Sequence, residues 1–418
     1  MITPHPTLHL SHLFARRREN LVAHNNPRGL QLTYNARTAF YQLLSSLPKA
    51  ERDSVLLPAF HCTALVEPAV QAGYRTRFYR IRPDFTIDVD DLRGKLSEQT
   101  ALVVVIHFFG FPADMEPILE AAKAYACFVV EDCAHSFLTG EGSSRVGQRG
   151  DFALFSYYKF APSLAGGGLG INRADFALSC APAQLSVRER LTIAKRLIEQ
   201  AALNAPEKLL SRMILWLEKT RMANKQSDVG ANIADGDSAS AFVDDPYFFR
   251  RDLAAAEIPS LCRRVIEHSD WGAIATTRQQ HYRRLSVLLS DSTAMSLPFP
   301  TLPDHVVPWA FPVLLRNRRI YEQDLRRLGV PLFTFGEVLH PVLKETNDEA
   351  RQAAELLSSE LLLLPVHASL TDDDVSNFAR TLRQGLKANS ERGELAQGSD
   401  GNDSILPQPT VVSGGKQA

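Results

Sequence analysis

The chain has 418 residues, with Lys+Arg 46 against Asp+Glu 47 and a formal net charge of -1. That balance excludes a protein drawn by its overall charge to nucleic acid or to an anionic membrane, so any bound anion must be held locally. The length exceeds the ~250–300 residues at which one core stops growing, and two lobes are expected.

The N-terminus, MITPHPTLHLSHLFARRREN, lacks the apolar core of a secretory signal, and no later apolar run approaches ~18 residues. The 5 cysteines (Cys62, Cys127, Cys133, Cys180, Cys262) show neither CxxC spacing nor a disulfide framework. A cytoplasmic protein without a metal site or membrane span is the expectation. From about Leu30 to Ile171, apolar runs (SVLLPAF, TRFYRI, ALVVVIHFFG, CFVVEDCA and FALFSYY) alternate with helical patterns such as PADMEPILEAAKAYA. Buried strands separated by helices predict an α/β fold, a mostly parallel sheet between helices. Ligands of such sheets bind beyond the carboxyl ends of the strands.

After Ile171 come two amphipathic helices, LSVRERLTIAKRLIEQAAL and PEKLLSRMILWLEKTRM, then a polar stretch, KQSDVGANIADGDSAS, read as a loop. The second helix could lie on a membrane surface, although packing on a core or a partner is the commoner use of such a pattern. The expected organisation is a large domain over 1–244, with a helical insertion and loop at about 183–244. A smaller C-terminal α+β domain over 245–387 contains WAFPVLLR, and a disordered polar tail covers 388–418.

Four segments carry candidate chemistry. In FSYYKFAPSLAGGGLG, Lys159 stands among aromatics; an amine stripped of water favours its neutral, nucleophilic form, whereas the bland reading is a snorkelling surface lysine. Three glycines at Gly166 to Gly168 permit close backbone approach, here expected to be beside a flat ligand. In VVEDCAH, Asp132 ends a strand and could pair with a cationic ring nitrogen, although an isolated strand-end Glu-Asp more often caps a helix. In TYNARTAFYQLL, a helix start with Arg37 and Thr38 could hold phosphate. In LPAFHCTAL, Phe60 and His61 offer faces for a planar ring, and Thr63 could be a simple cap.

The stretch KLSEQTALVVVIHFFGFPADMEPILEAAKAYACFVVEDCAHSF, followed by RVGQRGDFALFSYYKFAPSLAGGGLGI, resembles the DegT/DnrJ/EryC1/StrS family of pyridoxal-phosphate-dependent aminotransferases, which act on nucleotide-linked keto sugars. The likeness is closest from Leu57 to Ile171, with an echo in LLLLPVHASLTDDDVSNF. It implies a seven-stranded-type sheet of transferase fold type I and a homodimer. It also implies pyridoxal 5'-phosphate as cofactor, with small-molecule amino donor and keto acceptor as partners. Lys159 matches the lysine that joins the cofactor, Asp132 the aspartate at its ring nitrogen and His135 the residue near its phenolic oxygen. Ser156 matches a phosphate-contacting serine, Ala36 and Arg37 the pair at the phosphate-binding helix start, and Phe60 the stacking aromatic. The chain departs from the family where Lys159 follows Ser156 two residues early, where arginine replaces threonine at 37, and where Ala223 to Phe249 carries no Asn-Tyr-Arg segment. The implied activity is transamination of a keto sugar from a donor such as glutamate. The alternatives are a lyase, dehydratase or acyl-transferring enzyme with the same cofactor, or a silent regulatory relative.

Overall fold

The computed structural model describes residues 3, 5–9, 12, 29–49, 52–140, 145–179, 181–204, 249–292, 294–346 and 348–399, the last from 388 onward as backbone. The helix read in PEKLLSRMILWLEKTRM, the loop that follows it, and most of the expected tail lie outside these residues.

The described chain up to Ile171 contains β1 (Gly29–Thr33), α1 (Ala36–Ser46), β2 (Ser54–Pro58), α2 (Thr63–Gln71), β3 (Arg75–Tyr79), α3 (Val89–Lys95), β4 (Thr100–Ile106), α4 (Glu116–Ala124), β5 (Phe128–Asp132), β6 (Phe152–Ser156) and β7 (Gly167–Ile171). They form a seven-stranded sheet in the order β1-β7-β6-β5-β4-β2-β3. The five strands from β6 to β3 run parallel, and β7 runs antiparallel to both its neighbours. Every residue of TALVVVI in β4 is buried, as expected of a central parallel strand covered on both faces. The five apolar runs read as strands became β2 to β6. β1 and β7, with the sequences GLQLT and GGLGI, escaped the pattern because glycine carries no side chain to report alternation.

Helix starts follow local chemistry. Asn35 Oδ1 accepts the Thr38 N–H at 2.8 Å, Asp88 caps α3, and Ser186 with Glu189 forms a reciprocal capping box at α5 (Val187–Leu203).

Beyond α5 the described chain resumes with α6 (Ser260–Glu267), α7 (Trp271–Leu289), β8 (Ala310–Leu314), α8 (Arg318–Arg327), α9 (Glu349–Glu360), β9 (Leu361–Pro365) and α10 (Asp372–Ser399). β8 and β9 pair antiparallel, and a second core runs from Tyr282 to Leu386. Residues around α6 and the start of α7, including Val265, Ile266 and Trp271, join the first core. The expected boundary at 245 lies outside the described residues, and the first core also takes in later residues such as Trp309, Phe335 and Leu363. Helix α10 continues to Ser399, past the tail boundary at 388, in a stretch (KANSERGELAQGS) rich in good helix formers.

Candidate active site

A cavity of about 260 Å³ opens at the carboxyl ends of β4, β5 and β6, where Ile106, Asp132 and Ser156 stand. The starts of α1 (Asn35, Ala36, Arg37) and α2 (Cys62, Ala64) form one wall, and Lys159 and Phe335 another. This is the crevice that a parallel sheet offers to ligands.

The glycine triplet shapes one wall, by a route other than the one expected. At Gly167 an ideal Cβ would lie 2.6 Å from Asn35 Cα, and nearer still to the Asn35 carbonyl carbon and Ala36 N. Only a residue without Cβ lets β7 pass so close beneath the start of α1. Gly166 has φ +139, and a Cβ there would run into Ile266 and lie 3.2 Å from Ile258 Cδ1. The glycines thus seat a helix start on the cavity wall; the backbone they free approaches α1 and α6, not the cavity.

Lys159 ends a short 3₁₀ turn, Tyr157–Lys159, that follows β6. Its Nζ sits 4.6 Å above the centre of the Trp309 ring. Burial pulls the amine below the usual lysine range, while Asp132 and Cys62 push it back up. Burial lifts the Asp132 carboxyl above its usual range, opposed by Lys159, by the Ala134 N–H and by His107. Asp132 Oδ1 accepts the Ala134 N–H at 2.9 Å in a local turn, so it caps no helix and Oδ2 remains to accept a second donor.

Neighbouring Glu131 points to the opposite face, as strand alternation requires. It accepts N–H groups of Gly147 (2.8 Å), Arg149 (2.7 Å) and Gly150 (2.6 Å) and pairs with His107 Nε2 at 3.0 Å. Burial works against its ionisation, but His107 and the Gly150 and Gly147 amides outweigh it and hold the acid below its usual range. His107 Nδ1 accepts the Ala113 N–H, which puts the ring proton on Nε2, facing Glu131. The cluster His107, Glu131 and Cys133 is therefore engaged in a hydrogen-bonded anchor and does not present open metal ligands.

His135 lies on the cavity, stacked on Trp309 at 3.9 Å and 15° and edge-on to Phe335 at 4.7 Å. Burial, then Lys159, drives its pKa well down, so the imidazole is neutral. Its Nδ1 is buried without a hydrogen-bond partner. Such an atom costs stability unless something arrives to satisfy it.

The structure brings Lys159, Asp132, His135, Ser156, Ala36 and Arg37 to this one cavity. It does not bring Phe60. That ring is fully buried against Phe85, Phe108 and Phe335, because the chain turns inward after β2. His61 is no ring face either: it stacks on Phe78, and its Nε2 accepts the His340 N–H. Thr38 sits one turn inside α1, with its N–H spent on Asn35 and its hydroxyl donating to the Leu253 carbonyl at 3.2 Å. Sequence reasoning passed over Asn35, although an asparagine before an apolar helix is a readable cap. It also missed Trp309, Phe335 and Cys62; the first two stand far downstream, with no local signal tying them to Lys159.

Residues 29–171 match the model of the DegT/DnrJ/EryC1/StrS aminotransferase family. GDP-perosamine synthase of Vibrio cholerae is 26% identical over 146 residues, which is 34% of this chain but only 40% of that protein. Among solved structures, Helicobacter pylori PseC, an aminotransferase involved in the biosynthesis of pseudoaminic acid, superposes with a TM-score of 0.63 at 14% identity, covering 88% of this chain and 89% of that one. The putative sugar aminotransferase Spr1654 from Streptococcus pneumoniae, in its PLP-form, gives a TM-score of 0.60 at 15% identity over 91% and 92% of the two chains. The two solved structures share the fold of this chain over most of its length, and the stretch 29–171, which carries the seven-stranded sheet and Lys159, is similar to the DegT/DnrJ/EryC1/StrS aminotransferase family.

Proposed function

We propose that the protein is a pyridoxal-phosphate-dependent aminotransferase that moves an amino group from a donor such as glutamate to a nucleotide-linked keto sugar. The observation that carries this reading is the single cavity on which a pKa-lowered amine (Lys159), a buried carboxylate (Asp132) and an unsatisfied imidazole nitrogen (His135) converge. Each of the three suits one part of the cofactor. The start of α1 with Arg37 suits its phosphate, Asp132 its ring nitrogen, His135 its phenolic oxygen and Lys159 its aldehyde. The keto-sugar substrate rests on the named activities of relatives such as the Vibrio synthase.

When bound, pyridoxal phosphate supplies an aldehyde for an amine and a ring that takes up the electron pair released by deprotonation. The chain's own groups do the rest. Lys159 Nζ, kept from water and toward its neutral form, would serve as the nucleophile toward that aldehyde and, once freed, as the base that takes and returns a proton. Asp132 presents a carboxylate whose burial makes a cationic partner strongly favourable and so holds a proton on that partner. Neutral His135 can donate or accept one hydrogen bond, but it cannot add a charge. Phe335 and the Trp309–His135 stack limit water at the amine.

The same reading includes two lobes, a cytoplasmic location and a homodimer. The cytoplasmic location rests on the scattered cysteines of the sequence, which show neither CxxC spacing nor a disulfide framework. Among the described residues no helix is long and apolar enough to cross a membrane. Light scattering that gave a monomer at micromolar concentration would contradict the dimer.

The test is a half-reaction. Protein loaded with pyridoxal phosphate and mixed with glutamate should convert its cofactor to the amine form and release one equivalent of 2-oxoglutarate. A visible spectrum unchanged by any amino donor would refute transamination, and decarboxylated or eliminated products would favour a lyase.

A further inference from the structure

Helix α7 passes from one core to the other: Trp271 and Ile274 belong to the first, Tyr282 and Leu285 to the second. Midway between them stands Arg278, only 1% exposed. A guanidinium so placed normally meets a carboxylate, because an unpaired charge in a core is costly. Arg278 instead gives its terminal donors to backbone carbonyls, while its Nε is buried without a hydrogen-bond partner. Nη1 donates to Trp309 O at 2.8 Å and to Pro308 O at 3.3 Å, and Nη2 donates to Lys159 O at 3.1 Å. Its guanidinium carbon lies 4.6 Å from the centre of the Phe160 ring, next in sequence to Lys159. Burial, with no acid to oppose it, lowers its pKa to about 9.

Two of the residues held by this fork touch through their side chains, since the Lys159 amine, which lines the cavity, rests on the Trp309 ring. Geometrically, one planar cation grips from behind the peptide that aims the amine and the peptide that aims its aromatic rest. We infer that Arg278 is a positioning residue for Lys159: through the carbonyls of Lys159 and Trp309 it fixes where the amine is presented and keeps it out of water. The inference rests on the proposed role of Lys159 as the reactive amine. A lysine at 278 keeps a cation but loses the planar fork that serves three carbonyls at once.

The experiment reads the amine directly, without cofactor. Wild type and Arg278→Lys are labelled competitively with acetic anhydride from neutral to alkaline pH, and acetylation of the Lys159 peptide is followed by mass spectrometry, with exposed Lys123 as internal control. If Arg278 positions Lys159, the loosened amine regains water in the variant and its labelling midpoint moves up. At neutral pH acetylation then slows on the order of tenfold for each unit of that movement, while Lys123 is unchanged. A folded Arg278→Lys protein with wild-type Lys159 midpoint and rate would overturn the inference. If that variant gives no cooperative melt, Phe160→Leu, which leaves all three hydrogen bonds in place, takes its turn. It should shift the midpoint in the same direction by less, and no shift overturns the inference equally. Pyridoxal phosphate is absent from the labelling, so failure of the cofactor reading would show separately, as no uptake by the wild type.

Discussion

Replacing Gly167 by alanine tests how the cavity wall is built. The added methyl would sit 2.6 Å from Asn35 Cα and closer to two other backbone atoms of the α1 start, where ordinary contacts begin near 3.4 Å. None of these atoms is the end of a flexible side chain, so β7 and α1 must separate by roughly 1 Å before contact becomes ordinary. Overpacking of this kind costs about 1–3 kcal/mol. The displaced element is the helix start facing the cavity, so affinity for a phosphorylated ligand should fall together with stability; a loss of 1.4 kcal/mol from binding would be about tenfold in Kd. Gly94, inside α3, supplies the control. A Cβ there meets nothing within 4 Å, and Gly94→Ala should be neutral or stabilising by about 0.5–1 kcal/mol. Thermal melts of both variants, with titration of pyridoxal phosphate followed by absorbance, decide the matter. A Gly167→Ala protein that melts and binds like wild type would refute the reasoning.

Lys159→Ala should abolish turnover and covalent uptake of cofactor while leaving a folded protein. Burial lowers the folded-state pKa of Lys159, so the unfolded chain binds its proton more tightly, and stability of the unloaded wild type should rise with pH toward the ordinary lysine value. The variant should lack that rise in pH-dependent melts, and an equal slope would contradict the assigned burial. Asp132→Asn should still take up cofactor but lose about 10²–10³ in kcat, as removal of one preorganised electrostatic partner commonly does; near-normal turnover would show that another group governs the ring. Phe60→Leu, a change within the core, should cost less than about 1.5 kcal/mol and leave cofactor affinity unaltered, whereas a large affinity loss would return Phe60 to the cavity.

The sheet was legible because its central strands are buried on both faces and so read as unbroken apolar runs, as in TALVVVI. The residues at their ends, Asp132 and Lys159, followed from where parallel sheets bind ligands. Glycine-bearing β1 and β7 gave no pattern, and the purpose of Gly167 emerges only when α1 is seen lying across it. Phe60 was assigned to the ring by likeness of position, yet the chain after β2 turns that side chain into an aromatic cluster. Trp309 and Arg278 could not be found from local sequence at all. Each acts on Lys159 through a contact spanning more than a hundred residues, and neither periodicity nor spacing carries such information.

The most direct measurement is chemical. Purified protein is incubated with pyridoxal phosphate, reduced with borohydride, digested and mapped by mass spectrometry. The account predicts a single phosphopyridoxyl adduct on the peptide containing Lys159, lost in Lys159→Ala; modification spread over exposed lysines, or none at 159, would contradict it.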